Sequence, residues 1–110
     1  MRIAKGERRV SPFLVPMMMT NASGAAISMR YGLQGPNETI TTACAAGSHA
    51  INYADRLIKW GIVDAVATGG AESAGNITGL AGFQNMTALS SSGVSQPLSA
   101  DRDGFVMGEG

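Results

Sequence analysis

The chain has 110 residues, 8 basic and 8 acidic side chains, and a formal net charge of zero. That length bounds it to one small domain, and the balanced charge excludes the strongly basic footprint expected of a nucleic-acid binder. Charged residues make up only 15% of the chain, against roughly 25% in ordinary soluble domains. With 15 glycines and 45% hydrophobic residues, this implies close backbone packing and surface that faces another chain or further parts of its own.

Residues 1–10 carry charge throughout and offer no apolar stretch for a signal peptide. The uncharged run from Val10 to Met29 approaches membrane length, but Pro12, Pro16, Asn21 and Gly24 make it too polar for a good span. The expected setting is cytoplasmic, away from membrane and nucleic acid, where the N-x-T triplets at Asn37, Asn76 and Asn85 are chance matches. The single cysteine, Cys44, excludes an internal disulfide and a multi-cysteine metal site.

In chain order, Ser11 and Pro12 predict the start of a short helix that Pro16 keeps from running far. "NASGAAISMRYG" predicts a helix over 21–31, capped by Asn21 or Ser23 and stopped at Gly32. "LQGPNE" is a loop, and the β-branched "TITTA" predicts a strand. From Ala45 the period becomes helical. Ala46, Ala50, Ile51, Tyr53, Ala54, Leu57, Ile58 and Trp60 form a broad apolar face, and Gly61 ends the helix. "VDAVATGG" predicts a second strand apolar enough for burial on both faces. A Gly/Ser-rich stretch follows, with one short helix expected over Ile77 to Asn85, and "GFVMG" predicts a third strand. Strand, helix, strand in the middle is a βαβ unit, so the fold class is α/β and layered.

Cys44 sits where the β-branched run meets the small-residue run. A lone cysteine can be a small apolar filler. Set just before a helix, it would instead lie beside free N–H groups and the positive end of the helix dipole, which favour thiolate and can hold an oxyanion. Ala45, Ala46 and Gly47 leave room above the sulfur. His49, the only histidine, lies five positions on, roughly 140° round the helix and about 7.5 Å along it. It reads as a helix-surface or packing residue, and any acid/base partner of Cys44 must come from elsewhere. Asp55 and Arg56 read as the solvated face of that helix, and the Met17–Met19 run as adaptable core or interface packing.

Asp101 to Gly104 with Glu109 lacks the spacing of a calcium loop, and "GGAESAG" meets neither nucleotide-binding fingerprint. No metal and no cofactor is expected.

The blocks "RRVSPFLVP", "YGLQGPNETITTACAAGSHAI", "DAVATGGAE", "GFQNMTALS" and "DRDGFVMGEG" run in order over nearly the whole chain after Gly6. In this context the sequence resembles the β-ketoacyl-(acyl carrier protein) synthases, the condensing enzymes of fatty-acid and polyketide elongation. The resemblance implies that Cys44 is the nucleophile: it accepts an acyl chain from a carrier protein as a thioester. A carbanion from decarboxylated malonyl-carrier then attacks that thioester. It also implies that the Cys44 backbone N–H forms part of the oxyanion hole, that Phe83 lines the acyl pocket, and that Arg8 and Arg9 dock the acidic carrier protein. Thr87 departs from a position that is basic in some relatives, which shifts docking towards the Arg8 and Arg9 pair. The presence of Cys44 separates the chain from cysteine-less chain-length factors.

The implied fold is thiolase-like, a layered α-β-α architecture of two halves. Residues 1–110 would then be a partial N-terminal ketosynthase domain with further parts on both sides. The strands at 38–43, 64–68 and 104–108 would belong to the first half, leaving a two-strand gap between the first two. The strand over 38–43 would pair with its twin in a homodimer. The family's two histidines and lysine have no counterpart here. Two readings therefore stand: a piece of a condensing enzyme, inactive alone, or a non-catalytic truncated relative that binds carrier protein or a full-length partner.

Overall fold

Local hydrogen-bonding chemistry sets most of the helix ends. The computed structural model describes residues 10–108. The chain divides into two compact units, Met1–Gly69 and Gly70–Gly110, and each is described by itself.

In the first unit the Ser11 hydroxyl accepts from the Phe13 N–H at 3.2 Å, and the Ser11 carbonyl accepts from the Leu14 N–H at 3.0 Å. Helix α1 spans Leu14–Met18. It begins later than the Ser11–Pro12 signal predicts, so Pro16 falls within its first turn. There the missing N–H has no intrahelical acceptor to lose, and proline does not act as a stop. Helix α2 spans Ala22–Tyr31 and touches α1. It ends at Gly32, whose φ of 66° lets its N–H and that of Leu33 turn back onto the Ser28 carbonyl.

Helix α3, Ala46–Lys59, carries the core. Ala54 and Leu57, three apart on one face, are 4% and 6% exposed and are the only buried hydrophobic residues among those described. Ala46, Ala50 and Tyr53 on the same side are half-buried. The rest of the expected apolar face is not covered: Ile51, Ile58 and Trp60 are exposed. Gly61 donates to Ile58 and Ile62 to Leu57, closing the helix end.

The expected strands at 39–43 and 63–70 do not form: residues 39–42 and 63–70 are extended or irregular backbone, and Ala43 already belongs to a 3-10 turn. β-branched side chains favour an extended backbone, but a strand exists only when a neighbour accepts its ladder hydrogen bonds. Among the described residues no such neighbour pairs with either segment. An open groove of about 700 Å³ is lined by Ile27, Leu33, Pro36, Leu57, Ile62 and Val66 among others. It runs along residues 63–67, where one face of the second segment is left uncovered.

In the second unit helix α4 spans Ile77–Asn85, as its spacing predicts. Asn76 Oδ1 accepts from the Gly79 N–H at 2.9 Å and caps the helix. The third expected strand reduces to one parallel bridge between Leu89 and Phe105. It is built from Ser90 N–H to Phe105 O at 2.9 Å and Phe105 N–H to Ala88 O at 3.0 Å. Gly104 makes this approach possible: its φ is 148°, and a Cβ there would lie 2.5 Å from Leu89 C and Ser90 N. Among the described residues, no helix is long and apolar enough to cross a membrane.

Candidate functional site

Cys44 lies on a tight 3-10 turn, Ala43–Ala45, between an extended lead-in and α3. The helix does not start directly after the cysteine, as its sequence implies. The intervening turn takes up the N–H of Ala45, bonded to the Thr42 carbonyl at 3.2 Å, and that of Ala46, bonded to the Ala43 carbonyl. Among the described residues the Cys44 N–H has no hydrogen-bond acceptor. The thiol is exposed. Ala43 is held at φ 50°, in the left-handed region that alanine avoids. Backbone of this kind concentrates at functional turns.

Two side-chain bonds fasten the lead-in to α3. Thr42 Oγ1 and His49 Nδ1 are 2.7 Å apart, and the Tyr53 hydroxyl donates to Glu38 Oε1 at 2.9 Å. The Glu38 bond stabilises the protonated phenol, and partial burial and the Glu38 charge act the same way, so Tyr53 is raised above the ordinary phenol value. His49 is exposed, and its ring is engaged by Thr42.

Phe83 belongs to the second unit, half-buried on α4. Its ring meets Phe105 edge to face, with centroids 4.9 Å apart and planes at 88°. Arg8 and Arg9 lie outside the described residues. Thr87 has a left-handed φ of 56°, and its hydroxyl donates to the Met86 carbonyl at 2.6 Å.

Sequence reasoning missed Asp103, weighed only as part of a calcium-like loop. Its Oδ1 accepts from the Ser90 hydroxyl at 2.5 Å and the Ser92 hydroxyl at 3.2 Å. Its Oδ2 accepts from the Ser91 N–H at 3.0 Å, the Ser91 hydroxyl at 2.8 Å and the Ser92 N–H at 2.8 Å. The Ser90 hydroxyl, followed by the Ser91 hydroxyl and the Ser92 N–H, holds the carboxyl far below the ordinary carboxylate range, with desolvation opposing. Three consecutive serines ahead of an Asp-Gly pair were the available signal.

All of residues 1–110 match the family model of the beta-ketoacyl synthase N-terminal domain, and the chain belongs to that family. It is 44% identical over 109 residues to the mitochondrial 3-oxoacyl-(acyl-carrier-protein) synthase of Arabidopsis thaliana, covering 94% of this chain and 24% of that protein. It is 46% identical over 112 residues to the 3-oxoacyl-(acyl-carrier-protein) synthase 2 of Rhizobium meliloti, covering 96% of this chain and 27% of that protein. The Vibrio cholerae synthase 2 is 46% identical over 113 residues, with 98% and 27% covered. The chain thus spans about a quarter of the length of these curated relatives.

Proposed function

We propose that the chain is a partial N-terminal ketosynthase domain, and that in the complete synthase Cys44 is the acyl acceptor of a decarboxylative Claisen condensation. The thiolate adds to the carbonyl of an acyl-carrier thioester. The Cys44 N–H donates to the oxyanion, and the carrier's thiol leaves with a proton. Loss of carbon dioxide from malonyl-carrier then supplies a carbanion that attacks the Cys44 thioester, forming the new carbon–carbon bond and releasing the Cys44 thiolate. Phe83 lines the acyl pocket, and Arg8 and Arg9 draw in the acidic carrier protein. Residues 38–43 form a homodimer strand in a layered thiolase-like sheet.

The single observation that carries this reading is the exposed Cys44 on the strained Ala43–Ala45 turn, its own N–H without an acceptor among the described residues while those of Ala45 and Ala46 are spent. The uncovered apolar side chains of Phe13, Met17, Met29 and Ile77 support a larger domain around it. The chain's one histidine is engaged by Thr42, so these 110 residues bring no second histidine to the decarboxylation.

The test is incubation of the chain with an acyl-carrier thioester, followed by peptide mass spectrometry. The expected product is an acyl adduct on Cys44, absent in Cys44→Ala, with no keto-product when malonyl-carrier is added. Keto-product from this chain would overturn the partial-domain reading. Carrier binding without any adduct would favour the non-catalytic relative.

A further inference from the structure

Alanine at φ 50° persists only where its neighbours over-determine the conformation. At Ala43 the neighbours are few. The turn's own bonds, Ala45 N–H to Thr42 O and Ala46 N–H to Ala43 O, close it on one side. On the other, the Thr42 side chain is held by His49 Nδ1 at 2.7 Å. His49 lies in the first turn of α3, the helix anchored by buried Ala54 and Leu57. The imidazole therefore ties the residue preceding the strained alanine to the best-anchored element of its unit.

We propose that His49 is a positioning residue, which acts through Thr42 to hold the turn that presents Cys44. It donates or accepts no proton in the reaction; it fixes where the thiol and the Cys44 N–H point. The consequence for catalysis rests on the reading of Cys44 as nucleophile, whereas the latch itself does not.

The experiment uses the full 110-residue chain and needs no acyl donor, so it succeeds or fails independently of acyl transfer. Amide hydrogen exchange is measured residue by residue by NMR. His49→Ala is expected to speed exchange at Ala45 and Ala46 by roughly 3- to 10-fold, the range of one net hydrogen bond. Leu80, bonded to Asn76 in α4, stays unchanged. His49→Asn, whose amide can reach Thr42 much as Nδ1 does, restores most of the protection. Ala43→Gly relieves the strained backbone, so adding His49→Ala to it costs less than in the parent. The rate of Cys44 alkylation by iodoacetamide shifts with His49→Ala and returns with His49→Asn. Equal protection at Ala45 and Ala46 with and without the imidazole would overturn the proposal. So would no protection there in the parent chain, or a loss in His49→Ala that extends equally to Leu80.

Discussion

Cys44 sits on an exposed turn and Asp103 on an exposed loop, yet the two units hold these segments by different means. The first unit relies on a helix: α3 buries Ala54 and Leu57, and the Cys44 turn hangs from its start by Thr42–His49 and a strained Ala43. The second unit relies on one ion. The Asp103 carboxylate takes up hydroxyls and N–H groups from three consecutive serines, and charge-assisted bonds of this kind are stronger than neutral ones. The Asp103 loop is thus saturated with partners, whereas the Cys44 turn keeps a donor and a thiol in reserve. A turn built to bind must leave groups unsatisfied, and its geometry then has to be imposed from outside.

The largest test of this contrast removes the helix anchor. Leu57→Ala deletes most of a side chain that is 6% exposed, and large-to-small changes at such sites cost about 2–3 kcal/mol or more. Urea unfolding followed by the fluorescence of Trp60, the sole tryptophan, is expected to show the loss. Amide protection at Ser91 and Ser92 should be little changed. Equal loss in both places would erase the distinction between the units.

A smaller effect, with a pH signature, is expected at Asp103. Its folded value is depressed, so the stabilisation is present above the unfolded value of about 3.9 and is lost as pH falls below it towards the folded value. Asp103→Asn keeps the shape and removes the charge. Ser91 and Ser92 should be less protected than in the parent at neutral pH, and the parent's acid-induced loss of protection, from about pH 4 down to about pH 2, should flatten. An unchanged acid profile in Asp103→Asn would show that neutral hydrogen bonds suffice for the loop.

The helices were legible because their signals are local. Gly32 closes α2, and the Asn76 cap opens α4 where the spacing predicts. The strands were not legible as strands, since "TITTA" and "VDAVATGG" encode an extended backbone but not the neighbour that would make a ladder. At the site, the position of Cys44 between an extended run and a helix could be read directly. The left-handed Ala43 could not, because alanine carries no sequence signal for positive φ. The Thr42–His49 bond spans seven positions across a turn, outside either helical or strand periodicity. It emerges only once the 3-10 geometry folds Thr42 back over α3.

The smallest expected effect separates the two tethers on α3. Tyr53→Phe deletes the hydroxyl that donates to Glu38 and leaves the ring. Glu38 is exposed, so water replaces its lost partner readily. Because Tyr53 is raised, its contribution is present below the unfolded value of about 10 and is lost as pH climbs through the folded value. The variant should therefore be slightly less stable than the parent near neutrality and lack the parent's tyrosine-linked loss of stability in alkali, read by far-ultraviolet circular dichroism across that range. Glu38 lies at the far end of the lead-in from Cys44, whereas Thr42 directly precedes the strained alanine. Protection at Ala45 and Ala46 should accordingly survive Tyr53→Phe and fall in His49→Ala. If the two variants loosen the turn equally, the whole lead-in, rather than the Thr42–His49 bond, sets the position of the cysteine.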